Sequence, residues 1–180
     1  DINAFNYDFE KLAMQGVTGV STIITHLVVP GWRTNTDWGT MFFSESINSI
    51  GSQSYSGGQH LQITADGEEE WDPTDPNIKG LYKDMDTSEA TEVDYSFASG
   101  SRAGGSSIQL YAGPVSGPFE LVIEDFTNEI QWKFISGTYN VPVGQTKTRF
   151  IFRPKENAIG HIIDAANFKI PTEISTEEGT

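Results

Sequence analysis

Apolar and polar residues alternate along most of the chain, in short segments that are separated by turn residues. In the segment Glu92–Gly113, Val93, Tyr95 and Phe97 fall on one face, and polar residues fall on the other. A period of two predicts a β-strand with one buried side. A second strand begins at Ser106, after a glycine-rich turn. The two strands are predicted to pair as a β-hairpin.

Segments of the same kind recur through the rest of the sequence, and each is predicted to be a strand. They are Ile2–Glu10, Ser21–Val29, Gly39–Phe43, Gln59–Thr64, Leu81–Met85, Phe119–Glu124, Ile130–Ser136, Thr148–Arg153 and His161–Ile170. The long stretch 65–80 is acidic and contains two prolines, so it is predicted to be a loop. We therefore expect an all-β fold, an antiparallel two-sheet β-sandwich of the jelly-roll type.

Composition supports a single module of this class. The chain has 180 residues, which predicts one domain over residues 1–171 with a polar, acidic linker over 172–180. The first residue is Asp1, without a signal peptide, which suggests a module excised from a larger multidomain protein. No apolar run approaches the roughly 20 residues that a membrane helix requires, so membrane insertion is not expected.

Charge and cysteine content exclude several kinds of partner and site. The net charge of −14 disfavours nucleic acid, because phosphate backbones would be repelled. The sequence has no cysteine, which rules out disulfides and thiolate metal sites. Divalent cations bound by oxygen ligands remain compatible with the acidic composition.

Several short motifs follow one another in a recognisable order. They are Tyr7-Asp8-Phe9-Glu10, Pro30-Gly31-Trp32, Gly57-Gly58-Gln59-His60-Leu61, Tyr95-Ser96-Phe97, and Gly160 followed by Asp164. This order resembles that of galactose-binding-like β-sandwich modules, among them carbohydrate-binding modules. The stretches VPGW, LYKDM, SFASGSRAGG and SGTYNVPVGQTKTRFIF also resemble a module of large bacterial cell-surface and adhesin-like proteins.

The resemblance implies a function and a location. It implies a non-catalytic module, extracellular or on the cell surface, that binds a glycan or another host or environmental surface ligand. Two alternatives stay open: a domain that binds a protein or peptide during cell attachment, and a structural spacer. One departure from the motif is Ser99-Gly100-Ser101, where the related modules have a histidine before the arginine.

The resemblance also implies a metal site. In related carbohydrate-binding modules, a first-strand glutamate and a last-strand aspartate hold a structural Ca²⁺, and the matching positions are Glu10 and Asp164. Calcium takes six to eight oxygen ligands, so backbone carbonyls and water would complete such a site. The alternative is that Asp164 caps a turn and that Glu10 is solvated.

Residues around Arg102 are the candidates for ligand binding. The guanidinium of Arg102 is a planar fork of donors in a glycine-rich turn, suited to hydroxyls or a carboxylate. Asp84 would accept hydrogen bonds from the same ligand, and Tyr82 would stack beside it. An internal salt bridge from Arg102 to Asp94 or to the acidic loop is an equal alternative.

Tryptophans are the candidate sugar platforms, since flat aromatic rings stack on pyranose rings. Trp38 and Trp71 lie in polar contexts, so they are predicted to be exposed ligand contacts. Trp32 follows a Pro-Gly turn and precedes a strand, and Trp132 alternates with apolar residues, so both are predicted to be core. No histidine spacing or nucleophile motif typical of an enzyme is present, so no catalytic role is expected.

Overall fold

The computed structural model describes residues 22–24, 32–34, 40–44, 59–63, 80–101, 105–128, 132–155 and 161–171. Regular structure in these ranges consists of eleven β-strands. Among the described residues there is no helix with the length and apolar character needed to cross a membrane. The prediction of an all-β fold is confirmed.

The strands form two antiparallel sheets. The six-stranded sheet has the order β1-β3-β4-β11-β6-β9. Its strands are β1 (Thr22–Ile24), β3 (Thr40–Ser44), β4 (Gln59–Ile63), β6 (Glu92–Ser101), β9 (Lys133–Asn140) and β11 (His161–Lys169). The five-stranded sheet has the order β2-β5-β10-β7-β8. Its strands are β2 (Arg33–Thr34), β5 (Leu81–Asp86), β7 (Ser106–Pro114), β8 (Glu120–Thr127) and β10 (Lys147–Pro154).

The core lies between the sheets and is rich in aromatic rings. Phe97 and Phe152 meet edge to face with their centroids 4.9 Å apart, which joins the two sheets. Phe150 and Phe168 make a second contact between the sheets at 4.4 Å. Trp32 is 1% exposed and contacts Phe152 and Phe168, so the prediction that it belongs to the core is confirmed.

The predicted hairpin of β6 and β7 is wrong. Strand β6 pairs with β11 and β9, whereas β7 pairs with β10 and β8, so the two strands lie in different sheets. Their apolar faces meet across the core instead of lying side by side. The buried side chain of His161 connects these two strands. Its Nε2 lies 2.7 Å from Ser99 Oγ of β6, and its Nδ1 lies 2.8 Å from Ser106 Oγ of β7.

The prediction that Trp132 belongs to the core is also wrong, because β9 turns its other face inward. Ile135 and Tyr139 are buried, whereas Phe134 is 55% exposed and Trp132 is only partly buried. Gly137 lies on the inward face, where an added Cβ would overlap the phenol ring of Tyr95. Strand β9 therefore presents its even-numbered residues to the surface.

The remaining domain predictions concern residues that are not described. The predicted first strand, Ile2–Glu10, and the predicted linker, 172–180, lie outside the described ranges. The predicted strands from Gln59 onward are confirmed with shifts of a few residues at their ends.

Candidate functional site

Two predicted ligand residues lie together on the outer face of the five-stranded sheet. Along β5, Leu81, Lys83 and Met85 point inward and are buried, so Tyr82 and Asp84 point outward and are partly exposed. The alternation of the sequence dictates this arrangement, since successive side chains of a strand leave on opposite faces. Both residues lie within a strand and not in a loop at the end of the sandwich.

The arginine beside them is Arg149 of strand β10. Asp84 and Arg149 are directly opposite each other in the antiparallel pairing of β5 with β10. Arg149 Nε donates to Asp84 Oδ1 at 2.7 Å, and Nη2 donates to Oδ2 at 3.0 Å. The guanidinium carbon also lies 4.1 Å from the ring centroid of Tyr82. We call Tyr82, Asp84 and Arg149 the arginine cluster.

The electrostatics of this cluster favour a neutral ligand group over an acidic one. Hydrogen bonds to Asp84, opposed by partial burial, raise the pKa of Arg149. The pair is only 18% and 25% exposed, so it is better shielded than a typical surface ion pair. Because Asp84 already neutralises the guanidinium, an incoming carboxylate would have to compete with it. Two of the five guanidinium donors serve Asp84, which leaves others to meet hydroxyl groups.

A second polar chain lies on the same face, farther along the sheet. Gln109 Nε2 donates to Glu124 Oε1 at 2.8 Å, and Lys155 Nζ donates to Glu124 Oε2 at 3.2 Å. The hydrogen bond from Gln109 has the largest effect on Glu124 and lowers its pKa. The contact with Lys155 lowers the pKa further, although burial opposes both. Tyr111 Oη donates to Gln109 Oε1 at 3.4 Å and completes the chain.

An apolar cluster separates the two polar groups. Ile151, Tyr111 and Phe119 are buried on this face, and Tyr82 packs against them. Gly113 lets the segment 114–119 fold over the sheet, because an added Cβ there would overlap the carbonyl oxygen of Pro118. Around the arginine cluster the accessible groups are therefore polar and lie over a covered apolar base, whereas Leu121 and Phe126 are exposed on the edge strand β8.

Several predicted site residues lie outside the described part of the structure. These are Arg102, Trp38, Trp71 and the predicted calcium ligand Glu10. Arg149 was missed by the sequence reasoning. Its available signal was the alternation of KTRFIFRP, which places Arg149 and Arg153 on the face opposite to Phe150 and Phe152.

The other predicted calcium ligand, Asp164, is fully buried in β11 of the six-stranded sheet. Its Oδ1 accepts a hydrogen bond from the backbone N–H of Ala165 at 2.8 Å. Ala165 has a φ of 49°, and the pairing with β6 shifts between Asp164 and Asn167. Within the described ranges, no group of three or more histidine, aspartate or glutamate side chains could hold a metal ion. Asp164 alone does not make up the oxygen set that calcium requires.

Comparison with known proteins shows the fold. No family model matches the chain, and no curated protein sequence does. Among solved structures, the chain is similar to the C-terminal family 22 carbohydrate-binding module of Clostridium thermocellum Xyn10B. The identity is 15%, the TM-score is 0.58, and the match covers 94% of this chain and 95% of that module. The chain has the β-sandwich fold of carbohydrate-binding modules.

Two further structures share this fold. The CBM22-1 xylan-binding domain of Paenibacillus barcinonensis Xyn10C is 12% identical, with a TM-score of 0.54 over 84% of this chain and 92% of that domain. The K2 cleaved adhesin domain of Lys-gingipain is 18% identical, with a TM-score of 0.51 over 82% of this chain and 93% of that domain. At these identities the similarity concerns the fold, so the site has to be judged by its own residues.

Proposed function

We propose that this chain is a non-catalytic carbohydrate-binding module that engages a glycan on the outer face of its five-stranded sheet. The observation that carries the proposal is the arginine cluster. There Arg149 is fixed by two hydrogen bonds to Asp84 and stacked on Tyr82. A fixed guanidinium next to a carboxylate offers donors and acceptors to adjacent sugar hydroxyls, and Tyr82 adds apolar contact. The xylan-binding domain named above shares the fold.

Binding would follow from preorganisation. Because the cluster is already held by protein contacts, a ligand would not have to order these side chains on arrival. The site is small and partly exposed, so we expect a weak affinity for one module. Retention on a surface would then come from several modules on one parent protein.

The cellular setting and the metal belong to the same proposal. We propose that the module is part of a larger secreted or cell-surface bacterial protein, in line with the adhesin domain that shares its fold. We also propose a structural Ca²⁺ at Glu10 and Asp164, supported by the complete burial of the Asp164 carboxyl group. Chelation should then lower the melting temperature, whereas an unchanged melting temperature in EDTA would count against the ion.

A glycan array tests the proposed function. The wild-type chain is expected to bind a subset of glycans, and Arg149→Ala is expected to weaken binding at the arginine cluster by about tenfold or more, as for a charged hydrogen-bond anchor. Arg149→Lys should also bind poorly, because lysine cannot form the bidentate contact. Lys133→Ala is the matched control, because it removes an ion pair with Asp125 away from the cluster. Unchanged binding by both Arg149 variants would refute the assignment.

A further inference from the structure

The outer face of the six-stranded sheet carries a second polar surface, separate from the arginine cluster. A groove of about 460 Å³ lies across strands β11, β6 and β9. The strand register arranges its outward side chains in two rows of three. One row is Lys169, Asp94 and Thr138, and the other is Asn167, Ser96 and Ser136. We call these six residues the polar grid.

The polar grid has hydrogen-bonding capacity that the described protein groups leave unused. Thr138 Oγ1 donates to Asp94 Oδ1 at 2.9 Å, which occupies one carboxylate oxygen. The side-chain oxygen of Asn167 is buried and has no hydrogen-bond partner among the described residues. Asp94, Ser136 and Thr138 are exposed, so their remaining donors and acceptors are open to a ligand.

An aromatic ring extends the polar grid at one end. The outward residue that precedes Ser136 on β9 is Phe134, which is 55% exposed. Trp132 lies two residues earlier and packs over Gly100, where an added Cβ would lie 3.6 Å from its ring. From Phe134 to Thr138 the strand advances about 13 Å, which gives a track with an apolar end and a hydroxyl-rich end.

The charge of the polar grid selects among ligand classes. Lys169 and Asp94 are directly opposite each other, so the formal charges of the grid cancel. The whole chain carries −14, which disfavours sulfated or uronate-bearing chains. Donors, acceptors and an exposed ring without net charge match a molecule that has many hydroxyl groups and apolar ring faces.

We propose that the polar grid and Phe134 form a second binding site, on the sheet opposite to the arginine cluster, for an uncharged oligosaccharide. One sugar ring stacks on Phe134, and the next exchanges hydrogen bonds with the exposed side chains of Ser136 and Asp94. The site does not depend on Arg149. A module with sites on both sheets can bridge two glycan chains.

The test is an array that carries uncharged, sulfated and uronate-bearing oligosaccharides together with serine- and threonine-rich peptides. Wild type, Phe134→Ala, Asn167→Ala and Arg149→Ala are compared, with Phe126→Ala as the control. Phe126 is similarly exposed, at 61%, but lies on β8 of the other sheet. In the Arg149→Ala background, where the second site alone remains, Phe134→Ala is expected to weaken binding to uncharged glycans by about five- to tenfold, as for loss of one aromatic contact. Phe126→Ala should have no effect.

The strongest uncharged glycan is then titrated by calorimetry, where two ligands per wild-type chain are expected. Arg149→Ala should leave one ligand per chain, and so should Phe134→Ala combined with Asn167→Ala. A stoichiometry of one that only Arg149→Ala abolishes would overturn the second site and leave the proposed function standing. A stoichiometry of one that only the Phe134 and Asn167 variants abolish would overturn the proposed function and leave the second site standing. Signal confined to peptides or acidic glycans, or no signal, would overturn this proposal.

Discussion

Acid should destabilise this protein through His161 before its carboxylates are protonated. The imidazole is fully buried, with Ser99 and Ser106 hydroxyls at its two nitrogens. Burial lowers the pKa of His161 to about 3. The folded chain therefore keeps this histidine neutral at pH values where the unfolded chain, with a pKa of about 6.5, binds a proton.

The size of the effect follows from these two pKa values. Between them the unfolded state holds one more proton than the folded state, so the free energy of unfolding falls by about 1.4 kcal/mol for each unit of acidification. The loss begins as the pH drops through about 6.5 and reaches about 2 kcal/mol at pH 5. Most carboxylates keep their charge in that window, so their contribution is small.

Urea unfolding followed by tryptophan fluorescence, at several pH values from 5 to 8, measures this dependence. His161→Gln is expected to be less stable than wild type at pH 8, because a bridge between the sheets is altered. Between pH 8 and pH 5, however, the free energy of unfolding of His161→Gln should fall by about 2 kcal/mol less than that of wild type. His26 and His60 are present in both proteins, so the difference isolates His161. An equal pH dependence in the two proteins would refute the reasoning.

Three further changes probe the packing and the charges. Gly113→Ala should destabilise the fold by about 1–3 kcal/mol in urea unfolding, because its Cβ would meet backbone, whereas Gly105→Ala should cost less, because its Cβ would meet an exposed phenyl ring. A double-mutant cycle of Asp84→Ala and Arg149→Ala should give a coupling energy of about 1–2 kcal/mol, since the pair is bidentate and mostly shielded. Burial lowers the pKa of Lys83 to about 7, so wild-type stability should rise from pH 7 towards pH 10, and Lys83→Met should remove that rise and be more stable at pH 7.

Each of these expectations has a contrary result. Equal losses for the two glycine variants would mean that the segment 114–119 yields as easily as a surface ring. A coupling energy near zero would make the arginine cluster an ordinary surface contact. A lysine variant that is less stable than wild type at pH 7 would show that the contact of Lys83 with the Trp32 ring, at 5.2 Å, outweighs its desolvation.

Strand positions were predictable from the sequence because a half-buried strand repeats every two residues. The pairing of the strands was not predictable in the same way, because β6 and β7 were expected to form a hairpin but lie in different sheets. A short glycine-rich connection is compatible with a hairpin and with a crossing between sheets, and the choice depends on which apolar faces meet across the core. Strand β9 fails for a related reason, since Trp132 and Phe134 supply an apolar period that competes with that of Ile135 and Tyr139.

The candidate site was predictable only in part. Tyr82 and Asp84 follow from the alternation of one strand. Their partner Arg149 is 65 residues away in sequence and becomes a neighbour only through the register of β5 with β10. The polar grid likewise combines three strands, and its rows exist only after the six-stranded sheet has formed.

The most direct test of carbohydrate binding by the arginine cluster is amide chemical-shift mapping with the strongest glycan from the array. At saturating glycan, we expect the amide resonances of Tyr82–Asp84 and Arg149 to shift in the wild-type protein. In Arg149→Ala, the amides of β5 should lose their response at the same glycan concentration. Shifts confined to other surfaces, with residues 82–84 and 149 unmoved, would contradict the central claim.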